Sequence, residues 1–482
     1  MSKLTEKLNE LKVCESLVYE IESGQSKTYQ EIYQNAHKYA QSFSDLDQAV
    51  ISVIIPNSID YLEIMIGVII SGNIFNPIPY FVENAELPRV LGYVNPAVVL
   101  TDRQDLISSQ NPLQDKFIFK NYSSEKHSSF DSFNLNEQPD SQIAALYYSS
   151  GTTGNPKGVL YSHKNIYALI DSLCRGFQFD QKTRHLTFLP FGHTASINYN
   201  IWPCLFQKSE LHISKGFEFL RATFFKELSE RKINYTQIVP TVAYMVLKLG
   251  LKTDGLDLSS LRYIGCGSST LPKEVQKEFE MKFGLKMSNL YGLSETGPSH
   301  FDNPLMPEWR EGTIGYPLDV NKCKIAEDGE ILLKGDNVFA GYYKNEKLYN
   351  EVVKNGWFHT GDLGEEKEGV FYFKDRKKDL IIKSGINIVP SEIEEIIYGH
   401  KSVHECVVVG KDDPVFGQKI VCCISLNDPN LDWDEQKKDI RRRCKGLLST
   451  YKVPDQFELL ANIPKTHSGK LVRKDVRNFV NR

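Results

Sequence analysis

The chain has 482 residues, of which 41% are hydrophobic, so it is long enough for one large and one small domain with a sizeable core. Its net charge of −4 argues against a general nucleic-acid-binding protein. Nine cysteines are scattered without metal-like pairs and no secretory signal is recognisable, so we expect reduced thiols and a cytoplasmic protein. The apolar run over 64–70 is too short to span a bilayer.

The first part of the chain alternates segments with helical and strand patterns. Residues 1–24 have the polar, amphipathic pattern of a helix, and a second helix is predicted over 28–46. A strand over 50–55 and a helix over 61–70 follow. This alternation is typical of a layered α/β fold, whereas the polar residues 103–140 are interpreted as a surface loop.

A strand predicted over 143–148 leads into a segment rich in glycine and hydroxyl groups. From Tyr148 to Gly158 the sequence reads YSSGTTGNPKG. Glycines permit tight turns, hydroxyls donate hydrogen bonds and Lys157 adds a positive charge, which together are typical of a phosphate site. The segment does not match the phosphate loop of ATPases, because Pro156 stands where that motif has its second glycine. A polar surface turn is the alternative interpretation.

The same segment resembles the phosphate-binding loop of the acyl-adenylate-forming superfamily, which includes acyl-CoA synthetases, peptide-synthetase adenylation domains and firefly luciferases. The superfamily pattern is an aromatic residue, two Ser/Thr, Gly, Ser/Thr, Thr, Gly, any residue, Pro, Lys and Gly, and every position fits. The resemblance implies that the following residues bind the nucleotide phosphates: Ser149, Ser150, Gly151, Thr152, Thr153, Gly154 and Lys157.

A second match lies in the segment NLYGLSETG, residues 289–297. The resemblance implies that Tyr291 and Gly292 contact the adenine, with the tyrosine ring as its platform. Glu295 would hold Mg²⁺ together with Ser149, since Mg²⁺ prefers hard oxygen ligands. Thr296 would donate a hydrogen bond to the α-phosphate.

Two more segments resemble nucleotide-binding motifs of the superfamily. In the turn over 261–272, small residues would let adenine and the acyl group lie against the backbone, which implies Gly267, Ser268 and Ser269 as contacts, with Gly267 and Ser268 also facing the acid. The two serines depart from the Gly and Ala that are frequent there. In WFHTGDL, residues 357–363, Asp362 would accept hydrogen bonds from the ribose hydroxyls.

The segment LPFGHT, residues 189–194, gives information on the acid. The resemblance implies that His193 lines the acyl pocket; a histidine at a strand end is the alternative. Peptide-synthetase domains that activate amino acids usually carry an Asp next to Phe here, whereas this chain has Phe191 and Gly192. A buried ammonium without a partner would be costly, so a fatty or other hydrophobic acid is favoured.

A charged break over 375–382 predicts a boundary between a large domain, 1–377, and a small domain, 378–482. The resemblance implies an α/β fold in which a large N-terminal domain of layered sheets and helices carries a small mobile α+β lid. By the same resemblance Arg376 binds ribose or phosphate and Lys378 is the hinge. Ser391 is predicted to cap the first helix of the small domain.

Two positions of the small domain are expected to reach the active site in turn. The resemblance implies that Ser384 and Gly385 form a turn that enters the thiol tunnel after the lid rotates. Lys470, within IPKTHSGKLVR over 463–473, would be the mobile catalytic lysine. A basic tail without a catalytic role is the alternative.

The resemblance as a whole implies an AMP-forming acid–thiol ligase that uses ATP and Mg²⁺. Coenzyme A is the expected acceptor, as in an acyl-CoA synthetase. The main alternative is a stand-alone adenylation enzyme that loads an acyl or aryl acid onto the phosphopantetheine of a separate carrier protein. A luciferase-like oxygenation and a non-enzymatic binding module remain open.

Overall fold

The computed structural model describes residues 1–125, 137–149, 157–269, 271–306, 309–465 and 471–482, and of Ser149 only the backbone. The described strands, in chain order, are β1 (Leu17–Glu20), β2 (Ser26–Thr28), β3 (Val50–Ile54), β4 (Ile74–Pro77), β5 (Val98–Thr101), β6 (Phe119–Asn121), β7 (Ile143–Ser149), β8 (Lys157–Ser162), β9 (Arg184–Thr187), β10 (Glu210–Ile213), β11 (Tyr235–Ile238), β12 (Tyr263–Cys266), β13 (Met287–Asn289), β14 (Gly292–Leu293), β15 (Gly297–Pro298), β16 (His300–Phe301), β17 (Tyr316–Pro317), β18 (Asn321–Ile325), β19 (Glu330–Gly335), β20 (Gly341–Tyr342), β21 (Val353–Lys354), β22 (Trp357–Lys367), β23 (Val370–Arg376), β24 (Ile381–Lys383), β25 (Ile386–Ile388), β26 (Val403–Asp413), β27 (Gly417–Leu426) and β28 (Gln456–Leu459).

The described α-helices, in chain order, are α1 (Lys3–Asn9), α2 (Tyr29–Ser42), α3 (Ile59–Ile70), α4 (Leu87–Val94), α5 (Gln104–Ile107), α6 (His163–Phe177), α7 (Thr194–Ser196), α8 (Trp202–Gln207), α9 (Phe217–Leu220), α10 (Phe224–Glu230), α11 (Pro240–Lys248), α12 (Lys273–Phe283), α13 (Glu346–Val352), α14 (Pro390–Tyr398), α15 (Trp433–Leu447) and α16 (Arg473–Val480). A π-helical turn, Ile197–Ile201, joins α7 to α8. Within the described ranges, no helix is both long and apolar enough to cross a membrane.

Two mostly parallel sheets of seven strands form the body of the large domain. The first sheet has the order β13-β12-β11-β9-β10-β1-β2, and the second has the order β20-β8-β7-β4-β3-β5-β6. Helix α3 contacts β1 of the first sheet and β4 of the second, and eleven of its twelve residues are buried. A helix buried on all sides reads as a nearly continuous apolar run, which is why this element was predictable from sequence.

Two local predictions about the N-terminal half need correction. The helix predicted over 1–24 ends early, and β1 begins at Leu17 as an inner strand of the first sheet. The segment 103–140, interpreted as a surface loop, contributes β6 to the second sheet. Short strands with mixed polarity do not give a periodic signal in the sequence. They form because pairing with a neighbouring strand compensates for their weak local preference.

The small domain is built on a five-stranded sheet, β25-β24-β27-β26 with β28 beside β27. Its apolar side chains form core clusters drawn from residues 381–480, whereas the other clusters are drawn from 4–371. This separation of cores supports the boundary at 377/378, which we propose for the two domains. Helix α14 begins at Pro390, and Ser391 does not cap it: its hydroxyl donates to the carbonyl oxygen of Lys374.

Candidate active site

A cavity of about 1060 Å³ lies where the large domain meets the linker to the small domain. Its walls come from the α7 and π-turn region, the β13–β15 region, the strands β19 and β22, and the end of β23. Of the residues predicted to form the site, these border the cavity: Lys157, Ser268, Gly292, Glu295, Arg376 and Lys378. They come from segments far apart in sequence, so the fold brings together side chains that were predicted independently.

Tyr342 connects two of the predicted residues. Its hydroxyl donates a hydrogen bond to Oε1 of Glu295 at 2.7 Å, and Nζ of Lys157 lies 5.6 Å from the centre of its ring. Burial raises the pKa of Tyr342, so its hydroxyl remains protonated and able to donate. Tyr342 thus contacts a cation through its ring and a carboxylate through its hydroxyl, and both charged groups border the same cavity. The sequence did not reveal this role of Tyr342.

Thr296, which is predicted to donate a hydrogen bond to the α-phosphate, does not border the cavity. This side chain is fully buried, and its hydroxyl donates to the carbonyl oxygen of Gly297 and accepts from the amide of Leu293. Ser294, two residues earlier in the same segment, does border the cavity. Because the strand pair β14–β15 reverses the chain here, hydroxyls two residues apart have different surroundings, and Ser294 replaces Thr296 as the candidate phosphate ligand.

Asp362 is buried beside the cavity and is held by two neighbours. The hydroxyl of Tyr291 donates to its Oδ2 at 2.9 Å, and Nε of Arg376 lies 3.2 Å from its Oδ1. Burial raises the pKa of Asp362, while the Arg376 charge opposes this shift. Oδ1 takes part in the ion pair with Arg376 but accepts no hydrogen bond from a described residue, so it can still accept one from a ligand hydroxyl.

Contrary to the prediction that its ring faces the adenine, Tyr291 does not border the cavity. Its ring is buried among Ile314, Ile331 and Phe371, with its edge toward the ring of His300 at 5.2 Å. Tyr291 therefore positions Asp362 rather than offering an open face to adenine. Gly292 does border the cavity, and a Cβ there would lie 2.3 Å from the carbonyl oxygen of Gly297, so the glycine allows the close approach of β14 and β15.

The turn after β12 gives a mixed result for the predicted contacts. A Cβ at Gly267 would lie 2.7 Å from Cβ of Leu290, so this glycine allows side-chain packing and does not face the cavity. Ser268 borders the cavity with φ of +71°, a conformation that costs a residue with a Cβ about 1–2 kcal/mol. Ser269 is exposed and lies outside the cavity wall. A strained backbone at a cavity wall is a frequent feature of functional sites.

His193 is also displaced from its predicted position. It precedes α7, its ring centre is 6.3 Å from that of Phe81, and it does not border the cavity. The wall is formed instead by the residues that follow it: Thr194, Ala195, Asn198 and Tyr199. Asn198 and Tyr199 lie in the π-helical turn, which departs from the ordinary helical period, so their positions on the wall could not be inferred from that period.

The linker residues lie at the opposite wall. Lys378 is in a single 3₁₀ turn, Lys377–Asp379, between β23 and β24, and its side chain borders the cavity. Desolvation by the cavity walls lowers the pKa of Lys378, and the charges of Arg376 and Lys157 act in the same direction. Ser384 and Gly385 form the exposed turn between β24 and β25, with φ of +52° and +78°, away from the cavity.

Two groups of predicted residues lie outside the described ranges. The first is the phosphate-binding segment, namely Ser150, Gly151, Thr152, Thr153 and Gly154, together with the side chain of Ser149. The residues on either side of it, Ser149 and Lys157, are register partners on the antiparallel strands β7 and β8. The second is Lys470. Its flanking residues Lys465 and Leu471 form an isolated bridge, Lys465 pairs with Glu405 at 2.5 Å, and Arg473 pairs with Glu394 at 2.5 Å.

Comparison with protein families identifies the chain. The family model described as AMP-binding enzyme matches residues 9–343, and that described as AMP-binding enzyme C-terminal domain matches 392–470. The chain belongs to the AMP-binding enzyme family. The superfamily inferred from the phosphate-loop resemblance is therefore confirmed, and the protein is an enzyme of the AMP-forming acid–thiol ligase class.

Several curated members of the AMP-binding enzyme family are similar to this chain. The long-chain-fatty-acid–CoA ligase of Bacillus subtilis is 34% identical over 361 residues, 70% of this chain and 61% of the relative. The sulfoacetate–CoA ligase of Cupriavidus necator is 29% identical over 95% of this chain and 93% of the relative. The feruloyl-CoA synthase of Amycolatopsis sp. is 30% identical over 70% of this chain and 69% of the relative. The three acids named differ in size and charge.

Solved structures confirm the fold of this AMP-binding enzyme. ATP-bound MatB from Rhodopseudomonas palustris superposes with a TM-score of 0.91 at 21% identity, covering 99% of both chains. The anthranilate CoA ligase AuaEII, in complex with anthranoyl-AMP, gives a TM-score of 0.89 at 19% identity, covering 100% of this chain and 97% of that one. The α/β fold with layered sheets in a large domain and a smaller C-terminal domain is thus confirmed.

Proposed function

We propose that the protein uses ATP to convert a carboxylic acid into an acyl-adenylate and then transfers the acyl group to coenzyme A. The observation that carries this proposal is the convergence of Lys157, Arg376 and Lys378 with the carboxylate of Glu295 on one large cavity. The cavity is bordered by five basic and five acidic side chains, so their formal charges balance, and it is the closeness of Lys157 and Arg376 to Lys378 that suits the phosphates of a nucleotide. Oδ1 of Asp362, which is ion-paired with Arg376 but accepts no hydrogen bond from a described residue, suits a ribose hydroxyl beside the same space.

In the first half-reaction, a carboxylate oxygen of the acid attacks the α-phosphorus of ATP, the bond to the bridging oxygen of the β-phosphate breaks, and pyrophosphate leaves. Lys157 and residues 149–154 would hold the departing phosphates, and Ser294 would donate to the α-phosphate. Lys470 would stabilise the negative charge that develops there. No general base is needed, because the attacking carboxylate is already ionised.

Glu295 is the proposed protein ligand for Mg²⁺. Among the described residues, no cluster of three His, Cys, Asp or Glu side chains could hold a metal alone. A magnesium ion held by one carboxylate, the predicted Ser149 hydroxyl, phosphate oxygens and water fits this composition, since Mg²⁺ is often bound together with substrate phosphates. The ion would neutralise charge on the phosphates, and Tyr342 would keep Glu295 oriented through its hydrogen bond to Oε1.

In the second half-reaction, the thiol sulfur attacks the acyl carbon, the bond to AMP breaks, and the thiol proton passes to solvent. The small domain would rotate at Lys378, which would withdraw Lys470 and bring Ser384 and Gly385 to the cavity. The turn is exposed, and the hydrogen bond that Ser384 N–H donates to the carbonyl oxygen of Phe416 lies within the small domain, so such a rotation would keep it.

The acid is proposed to have an uncharged acyl portion. The wall formed by Thr194, Ala195, Asn198 and Tyr199 carries no ionisable acid or base apart from the tyrosine hydroxyl. An acid with a second charge would therefore lose hydration without gaining a counter-ion. The named substrates of the curated relatives include a long-chain fatty acid and ferulic acid, which meet this condition, and sulfoacetic acid, which does not.

The test is acid-dependent exchange of labelled pyrophosphate into ATP, with a panel of fatty, aryl and short branched acids. We expect exchange with at least one uncharged acid, followed by release of AMP when coenzyme A is added. A separate carrier protein bearing phosphopantetheine is tested in parallel. Faster turnover with the carrier than with coenzyme A would mean that the carrier protein is the acceptor. The absence of exchange with every acid would refute the proposed activity.

A further inference from the structure

Strand β22 contains a bulge at the edge of the cavity. In its register with β19, Glu330 pairs with Leu363. Leu332, only two residues further along β19, pairs with His359. Residues 360–362 of β22, here called the bulge, therefore lie opposite a single residue of β19. The first two residues of the bulge border the cavity, and its last residue is the proposed ribose acceptor. Bulges occur often next to active sites, where they redirect a side chain.

Two side chains hold the backbone of the bulge. The N–H of Gly361 donates to Oε1 of Glu330 at 2.7 Å. The hydroxyl of Thr360 accepts from the N–H of Asp362 at 3.0 Å and donates to the carbonyl oxygen of Ile331 at 2.7 Å. Gly361 has φ of +73°, a conformation that glycine adopts without steric cost. The shape of the bulge thus depends on a glycine and on the carboxylate that accepts its amide.

The other oxygen of Glu330 is held by a lysine and a histidine. Nζ of Lys377 lies 3.1 Å from Oε2 of Glu330 and 2.7 Å from Oδ2 of Asp328. Nδ1 of His359 lies 3.1 Å from the same Oε2. Glu330 is only 5% exposed, and a buried carboxylate is stable where it is paired and hydrogen-bonded on both oxygens. Glu330 is therefore fixed independently of Gly361 and can serve as an anchor for the bulge.

Asp362 depends on this anchor for its position. Its side chain is held by the hydroxyl of Tyr291 and by Arg376, whereas its backbone is placed by the bulge. Asp362 is 2% exposed, so a ligand hydroxyl can reach Oδ1 only from the side of the cavity. A binding residue works when it is held within about 0.5 Å of the productive geometry. A small shift of the bulge would therefore weaken a hydrogen bond from a ribose hydroxyl.

We propose that Glu330 is a positioning residue for nucleotide binding: its carboxylate holds Gly361, and the bulge in turn places Asp362 against the ribose of ATP. This inference rests on the proposed function and extends it to a residue that acts through Asp362 and not on the substrate. Loss of the Glu330 carboxylate leaves the N–H of Gly361 without its acceptor, so the bulge relaxes. The ribose contact then weakens, while the residues that contact the phosphates keep their positions.

The test measures the dissociation constants of ATP and of 2′,3′-dideoxy-ATP for the full-length enzyme, in the absence of acid and coenzyme A. The wild-type enzyme should bind ATP at least about tenfold more tightly, because the analogue lacks both hydroxyls that can donate to the carboxylate. In Glu330→Ala this ratio should fall toward one, since binding of ATP weakens and binding of the analogue changes little. A change in stability alone would not alter the ratio. An unchanged ratio in Glu330→Ala would refute the proposal.

Gly361→Ala tests the bulge from its other side. A Cβ at Gly361 meets no described atom within 4 Å, so alanine fits the space, but φ of +73° is strained for it. The ratio should therefore fall in this variant as well, and Gly361→Ala carries the test if Glu330→Ala does not fold. A ratio in Gly361→Ala equal to that of the wild type would count against the role of the bulge.

Two further variants separate position from charge. Lys377→Met removes a partner of Oε2 and leaves the bond from Gly361 to Oε1, so the ratio should be unchanged. Glu365→Ala, further along β22, removes a carboxylate that is ion-paired with lysines and is the matched control. If Lys377→Met lowers the ratio as much as Glu330→Ala, the charge of the ion pair is responsible and the proposal is overturned.

The wild-type enzyme supplies two more outcomes. Equal binding of the two nucleotides would overturn the proposal, because there would be no ribose contact to position. Absence of pyrophosphate exchange with every acid is a different result. It would refute the proposed activity, whereas the binding test, which contains no acid, would still decide the role of Glu330.

Discussion

Nζ of Lys248 in α11 lies 3.0 Å from Nδ1 of His404 in β26, across the contact between the large and small domains. Desolvation lowers the pKa of His404; Glu405 opposes this shift, and the charges of Lys248 and Lys465 add to it. The ring of Tyr244 packs against the imidazole with centres 6.1 Å apart. A neutral imidazole can accept a hydrogen bond from the Lys248 ammonium, whereas an imidazolium would repel it.

We therefore predict that the arrangement of the two domains depends on pH. Because the pKa of His404 is lower in the contact than in the separated state, the contact is fully formed above the ordinary pKa of histidine, about 6.5, and weakens as the pH falls below it. The measurement is a fluorescence distance between dyes on the two domains over pH 5–8, about the range in which histidine titrates. His404→Gln keeps a polar neutral group and should abolish the response; an identical response in the variant would exclude His404 as its origin.

Lys470→Ala should reduce acyl-adenylate formation by about a hundredfold or more, the scale observed when one oriented donor is lost from a transition state. Formation of the thioester from supplied acyl-adenylate should be nearly unaffected. Both half-reactions are measured separately, and Lys445→Ala, at an exposed lysine of α15, serves as the control for loss of a charge from the same domain. Equal loss in both half-reactions would contradict the assignment.

Lys378→Pro should have the opposite effect and slow the second half-reaction, because proline fixes φ and stiffens the linker. Lys378 also borders the cavity, so the substitution removes a charge as well. Lys378→Ala separates the two effects, since it removes the charge and leaves the backbone free. We expect Ala to spare the second half-reaction; if Ala and Pro slow it equally, the residue acts through its charge and the hinge is elsewhere.

Ser294→Ala should slow adenylate formation about tenfold, because Ser294 borders the cavity and the loss of one hydrogen bond to a charged phosphate costs about 1.5 kcal/mol. Thr296→Val should instead lower the denaturant midpoint by an amount that corresponds to about 1 kcal/mol, since it breaks the buried hydrogen bond to the carbonyl of Gly297. Rate and midpoint are measured for both variants. A larger rate loss in Thr296→Val than in Ser294→Ala would restore Thr296 as the phosphate ligand.

Ser268→Gly should raise the denaturant midpoint, because glycine adopts a φ of +71° without steric cost and removes about 1 kcal/mol of strain. Ser384→Gly, at the exposed turn with φ of +52°, is a comparison in which the same relief occurs outside the cavity. Ser268→Gly also removes a hydroxyl from the cavity wall. If the midpoint falls in Ser268→Gly but rises in Ser384→Gly, the hydroxyl of Ser268 stabilises the folded state by more than the backbone strain at this residue destabilises it.

The sequence predicted the motifs more reliably than the orientation of their side chains. Lys157, Glu295 and Arg376 were assigned from their positions in motifs, and the fold brings them to one cavity. The strand before the phosphate segment was also predictable, because a buried strand has a continuous apolar run. These features depend on local sequence, which is what a motif describes, so motifs predict them well.

The predictions that need correction depend on tertiary packing. Thr296 and Ser294 are both hydroxyl residues of the same motif, and only the β14–β15 reversal determines which one faces the cavity. Asn198 and Tyr199, which border the cavity where His193 was expected, belong to the π-turn, and this turn breaks the period of 3.6 residues. Gly267 and Gly265 make room for Leu290 and Tyr235, which are neighbours only in the folded sheet.

The segment that contains Lys470 is attached at both ends to the same body. Lys465 and Leu471 are bridge partners, and the ion pairs Lys465–Glu405 and Arg473–Glu394 anchor the flanking residues to the small domain. Because both anchors belong to the small domain, any displacement of that domain is transmitted to both ends of the segment at once, without a change in the distance between them.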